Sequence, residues 1–69
     1  MAMTNSLKEI RTSKHLVQED LAAAVGSCSR TISRIERGER NPSLEMAMRI
    51  SHCLGVPVED IFRLEDDGA

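Results

Sequence analysis

The stretch Gln18-Glu19-Asp20-Leu21-Ala22-Ala23-Ala24-Val25-Gly26-Ser27-Cys28-Ser29-Arg30-Thr31-Ile32-Ser33-Arg34-Ile35-Glu36-Arg37-Gly38 decides the fold. Leu21, Ala22 and Val25 fall on one face of a helix, and Ile32 and Ile35 share a face of another. A glycine adopts the left-handed conformation that ends a helix without a Cβ penalty, so Gly26 stops the first run and Gly38 the second. The spacing predicts a helix over 18–25 and another over about 29–37, joined by a short turn. Ile32 and Ile35 then face inward, while Ser29, Arg30, Ser33, Arg34 and Arg37 face outward.

Working outward, Ser6-Leu7-Lys8-Glu9 matches a capping box, which predicts a preceding helix from Ser6 to near Lys14. Leu7 and Ile10 form its inner face, and Leu16 packs at the entry to the next helix. On the other side, Glu39-Arg40-Asn41-Pro42-Ser43 reads as a loop, and Ser43 is the natural N-cap of a helix over 44–54. Leu44, Ala47, Ile50, Ser51 and Leu54 are its apolar-face positions, and Cys53 is expected to pack. Gly55 ends that helix, and a short fifth helix follows at 58–62. Leu64 fits a brief extended segment, but no stretch alternates over strand length. The expected fold class is all-α, a compact cluster of five short helices.

A chain of 69 residues is one domain, read here as residues 1–69 with a folded part over about 5–64 and an acidic tail over about 65–69. At this length only roughly 60% of the unfolded surface is buried, too little for a deep catalytic pocket. The composition, 41% hydrophobic and 29% charged, is nonetheless globular. The longest apolar run, Leu21–Val25, is far below the ~20 residues of a membrane span. No apolar signal segment opens the chain, which points to a cytoplasmic protein without a membrane partner. Cys28 and Cys53 are too isolated for a disulfide framework or a zinc site, and His15 and His52 stand without partners at ligand spacing. No nucleophile–base pair, phosphate loop or paired carboxylate is visible. The expectation is therefore no enzyme, no metal and no cofactor.

The net charge of −2 hides an asymmetry. Residues 1–57 carry eight bases and six acids, while residues 58–69 carry Arg63 against five acids. Four bases, Arg30, Arg34, Arg37 and Arg40, fall within one short segment. A polyanion responds to such local clustering within a Debye length of ~8 Å. A solvated helix face would explain the charges alone, but not the architecture beneath them. Two helices of about two turns joined through a glycine-opened turn form a helix-turn-helix, and the small Ala22 allows the second to cross the first closely. The outer face of the second then projects, and a helix fits the DNA major groove, ~12 Å across.

Arg30 and Arg34 lie one turn apart, so both point along the same ridge. A guanidinium can meet guanine O6 and N7 bidentately, and Ser29, Thr31 and Ser33 offer short hydroxyls to bases or phosphates. Arg37, Arg40 and Asn41 lie just beyond the helix, where phosphates come within reach. Gln18 opens the earlier helix, whose free amides and positive dipole end favour a phosphate.

From Leu7 to Phe62 the chain resembles the Cro/phage-repressor, or XRE-like, family of helix-turn-helix regulators. The matching strings are Leu7-Lys8-Glu9-Ile10-Arg11, Gln18-Glu19-Asp20-Leu21-Ala22, Thr31-Ile32-Ser33-Arg34-Ile35-Glu36-Arg37-Gly38, Asn41-Pro42-Ser43-Leu44 and Leu54-Gly55-Val56. It is most similar to the small stand-alone, single-domain members. The resemblance implies a lambda-repressor-like domain that binds a near-palindromic double-stranded DNA operator as a homodimer. It implies a phosphate anchor at Gln18, base contacts from Ser29, Arg30 and Arg34, and Thr31 on a base or the backbone. It further implies strand contacts from Arg37, Arg40 and Asn41, and a buried ion pair between Arg11 and Glu36. Successive recognition helices would sit ~34 Å apart. The dimer interface is expected in the fifth helix and Phe62-Arg63-Leu64.

Two departures from the family pattern stand out. Val17 occupies the N-cap of the second helix, where the family has Ser, Thr or Asn, and Cys28 occupies the N-cap of the third. Cys28 reads as a small serine substitute, with a redox-sensitive thiol as the sharper alternative. The alternatives for the whole chain are an antitoxin or restriction–modification controller with a protein partner, or a protein–protein adaptor on the same fold. An arginine-rich third helix argues against the adaptor.

Overall fold

Leu7, Leu21, Val25, Ile32, Ile35, Ile50 and Ile61 are fully buried and form one core. Each of the five helices contributes at least one of them, and burying such a side chain is worth roughly 1.5–3 kcal/mol. The computed structural model describes residues 2–66. In chain order these form β1 (Ala2–Asn5), α1 (Leu7–Ser13), α2 (Gln18–Val25), α3 (Ser29–Glu36), α4 (Leu44–Leu54), α5 (Val58–Ile61) and β2 (Phe62–Glu65).

The helix ends follow local chemistry. Gly26, at φ 72°, ends α2 in the left-handed conformation, and its amide bonds Ala22 O. Ser27 N reaches the same carbonyl at 2.8 Å. This reversal launches α3 across α2, over the small buried Ala22. Ser43 Oγ accepts from Met46 N at 3.1 Å, capping α4 as its sequence predicts. Ala47, Ile50 and Leu54 turn that helix inward, and Ser51 closes its far end by donating to Val56 O at 2.6 Å.

The fold is not strictly all-α. β1 and β2 pair antiparallel, with Ala2 opposite Glu65, Met3 opposite Leu64, Thr4 opposite Arg63 and Asn5 opposite Phe62. Four residues are too few to display an alternating pattern, and each strand exists only because the other lies beside it. The extended segment around Leu64 is therefore a strand, and α5 ends at Ile61 because Phe62 already belongs to β2. Residues 67–69 of the acidic tail lie outside the described residues.

Further expectations change. Ser6 makes no side-chain cap. Its amide donates to Ile61 O at 2.8 Å, and Asn5 Oδ1 takes over the capping role, accepting from Leu7 N at 3.1 Å. Leu44 is 76% exposed rather than inward, because it occupies the first turn of α4, beyond the reach of the core. Cys53 is exposed too, since Ala47, Ile50 and Leu54 occupy the inner face of α4. Leu44, Met48 and Cys53 instead line an open groove of about 590 Å³ between α4 and Ala24. α3 stops at Glu36, with Arg37 as its C-cap.

Val17 is extended and 59% exposed, and half of a capping box is already present at the start of α2. Asp20 Oδ2 accepts from Val17 N at 3.1 Å, while the valine side chain offers the first-turn amides no acceptor. Val17→Thr supplies the missing acceptor and stabilises the fold by about 0.5–2 kcal/mol. For a domain of this size the melting temperature rises about 4–8 °C per kcal/mol, measured by circular dichroism. An unchanged or lower value discards the capping argument.

Candidate nucleic-acid interface

The placement of α3 rests on a buried charge network. Arg11 Nε donates to Glu36 Oε2 at 2.6 Å and Arg11 Nη2 to Glu36 Oε1 at 3.2 Å, a two-pronged pair. The two side chains are only 8% and 4% exposed. Arg11 Nη1 donates to Leu16 O at 2.7 Å, and Gln18 Nε2 donates to Glu36 Oε1 at 3.0 Å. One network thus joins α1, the α1–α2 turn, the start of α2 and the end of α3.

With Ile32 and Ile35 committed to the core, the rest of α3 turns away from it. Arg30 and Arg34 are exposed, and neither forms an ion pair among the described residues. Ser29, Thr31 and Ser33 are half-buried along the flanks of that ridge. Arg37, Arg40 and Asn41 are exposed just past the helix. Arg37 Nε meets Glu39 Oε2 at 3.2 Å, an exposed pair that water and salt weaken. A single cleft of about 500 Å³ brings Gln18 and Ser29 together with Arg11, Val17 and Glu19. The amides of Gln18 and Glu19 have no backbone partner among the described residues, so the mouth of that cleft offers free donors at a helix start. Asp20, in the same turn, spends Oδ2 on the Val17 amide.

Spacing alone could not show that Gln18 also completes the shell of Glu36. Its amide nitrogen faces that carboxylate, so Gln18 belongs to the scaffold as well as to the cleft. No local signal announces a contact between residues eighteen positions apart.

Cys28 is the extended N-cap of α3 and is exposed. Its Sγ lies 3.4 Å from Thr31 Oγ1. The Thr31 hydroxyl holds the Cys28 thiol below its usual range, and the Thr31 and Arg30 amides act in the same direction. Stabilising the thiolate makes the sulfur a better nucleophile near neutral pH.

Residues 7–61 match the helix-turn-helix family. Over 65 residues the chain is 48% identical to an uncharacterised HTH-type transcriptional regulator of Methanocaldococcus jannaschii, covering 94% of this chain and 98% of that protein. An uncharacterised HTH-type transcriptional regulator of Bacillus subtilis is 37% identical over 65 residues, again with 94% and 98% covered. Among solved structures, the restriction–modification controller protein C.AhdI from Aeromonas hydrophila superimposes with a TM-score of 0.74 at 35% identity, covering 78% of this chain and 82% of that one.

Two substitutions check the interface scaffold. Glu36→Ala leaves the Arg11 guanidinium buried without its counter-charge and destabilises the fold by about 3–5 kcal/mol. Urea titration reads the loss, and a midpoint within error of the wild type removes the network from its structural role. Thr31→Val deletes the hydroxyl beside Cys28 and moves the pH profile of iodoacetamide alkylation upward. A profile that stays in place assigns the lowered thiol to another cause.

Proposed function

The chain belongs to the helix-turn-helix family of XRE-type transcriptional regulators, and on that premise we propose that two copies bind a near-palindromic stretch of double-stranded DNA, each placing α3 in a major groove. The single observation carrying this reading is the exposed Arg30–Arg34 ridge, without an ion pair among the described residues, on a helix whose opposite face is locked into the core. In this reading Arg30 and Arg34 read base edges, with Ser29 and Thr31 beside them. Gln18 and the free amides at the start of α2 hold a phosphate, and Arg37, Arg40 and Asn41 hold the strand beyond α3. The reading makes the chain a DNA-binding protein rather than an enzyme, acting in the cytoplasm. No helix among the described residues is long and apolar enough to cross a membrane.

A homodimer is supported by β2. Leu64 lies on the same side of the ribbon as Phe62 and opposite Met3, both of which pack on the core. Leu64 itself is 71% exposed, an apolar overhang beyond the helical body. A second copy meeting α5 and Phe62–Leu64 would cover it and present two α3 ridges to one duplex. The likeness to a restriction–modification controller protein favours one narrower reading, a controller of the same kind.

Selection from random duplex oligonucleotides, followed by sequencing, identifies the operator. Arg30→Ala or Arg34→Ala then costs about 1–3 kcal/mol on that operator and relaxes the preference at one position. Arg40→Ala weakens all sequences about equally and reduces the salt slope by about 1. If the two kinds of variant behave alike, the division between base and phosphate contacts is wrong. Light scattering that shows only monomers at high micromolar concentration removes the homodimer.

A further inference from the structure

Asn5 ends β1, and its side-chain amide bonds in two directions. Oδ1 accepts from Leu7 N at 3.1 Å, at the start of α1. Nδ2 donates to Ile35 O at 2.9 Å, across thirty positions of chain. That carbonyl belongs to the last turn of α3, where no following helical amide is available. Gly38 N provides one partner for it at 3.0 Å, and Asn5 provides the other. Asn5 also sits opposite Phe62 in the ribbon, next to Ser6, whose amide bonds Ile61 O. A single half-buried side chain therefore joins the ribbon, the start of α1 and the end of α3.

The other restraints on α3 are of two kinds. Ile32 and Ile35 bury apolar surface, which fixes which face points inward but is non-directional. The Arg11–Glu36 pair fixes the last residue of the helix from the side of α1 and α2. The Asn5–Ile35 bond adds a second directional restraint, one residue earlier on the backbone, from the ribbon. Two anchors at one end of a helix define its tilt where one anchor leaves a pivot.

We infer that Asn5 is a positioning residue for DNA recognition: through Ile35 O it sets the angle at which α3 presents Arg30 and Arg34, and ties that angle to the ribbon. The inference rests on the DNA-binding reading above. Bidentate contacts to base edges tolerate little misplacement, whereas phosphate attraction acts over a Debye length and tolerates more. Loss of the restraint therefore lowers affinity for the operator more than affinity for unrelated duplex.

The role needs a group that donates and accepts at once. A carboxylate only accepts, so Asn5→Asp keeps the acceptor for Leu7 N and removes the donor to Ile35 O. Asn5→Ala removes both. Each full-length variant, checked as folded by circular dichroism, is titrated with the selected operator and with an unrelated duplex across a salt series. For both variants, operator affinity falls about tenfold while affinity for the unrelated duplex stays within about twofold and the salt slope is unchanged. A purely structural role would instead lower both affinities together through the folded fraction.

Outcomes separate the two levels. If the wild-type chain shows no preference for any duplex, the DNA reading fails and this inference with it. If the wild-type chain discriminates and folded Asn5→Asp discriminates equally, the inference alone is overturned. Should Asn5→Asp not fold, hydrogen exchange on the wild-type chain decides. The Asn5 side-chain amide protons then exchange more slowly than those of exposed Asn41, and equal rates overturn the tether.

Discussion

A guanidinium and a carboxylate placed together inside a small domain hold this structure to one arrangement. Removing two such ions from water costs several kcal/mol each, and the cost is offset only when their hydrogen-bonding groups are met. Here both oxygens of Glu36 face Arg11, the remaining terminal nitrogen of Arg11 finds Leu16 O, and Gln18 adds a further donor. No buried side-chain nitrogen or oxygen among the described residues lacks a partner. The pair is therefore less a source of net stability than a demand on geometry. Any arrangement that parts α1 from the end of α3 strands a charge.

That demand explains how so small a core can present a helix outward. Ile32 and Ile35 give α3 one apolar stripe, which suffices to bury it but not to orient it along its axis. Directional bonds at its C-terminal end complete the placement, from Glu36 on one side and from Ile35 O on the other. The outer face, with Arg30 and Arg34, is left uncovered. The ridge of Arg30 and Arg34 is thus exposed because the restraints on α3 are gathered at its far end and inner face. The ribbon contributes to the same economy, since four-residue strands close the ends of the described chain against each other and carry Asn5 to its two partners.

Much of this was legible beforehand because it is written at short range. The boundaries of α2, the left-handed reversal at Gly26, the Ser43 cap and the inward row Ala47, Ile50 and Leu54 each follow from residues within a turn or two of one another. The exposed ridge followed from the same periodicity. The Arg11–Glu36 pair was legible only through family resemblance, since nothing local links residues twenty-five positions apart. The cap at Ser6 misled because the Ser6 amide, which a capping box would give to Glu9, goes to Ile61 O across the chain, and Asn5 Oδ1 instead accepts from Leu7 N.

The sequence by itself determined where the helices run, which faces are apolar and which helix carries the arginines, because periodicity and capping act between neighbours. Only the tertiary structure decided that Ala2–Asn5 and Phe62–Glu65 become strands, that Asn5 reaches Ile35, that Gln18 turns to Glu36, and that Leu44 and Leu64 stay outside. In each case the deciding partner, or the limit of the core, lies far away in the chain. A strand needs another strand, a carbonyl at a helix end needs a donor, and an apolar side chain is buried only where the body of the protein extends to meet it.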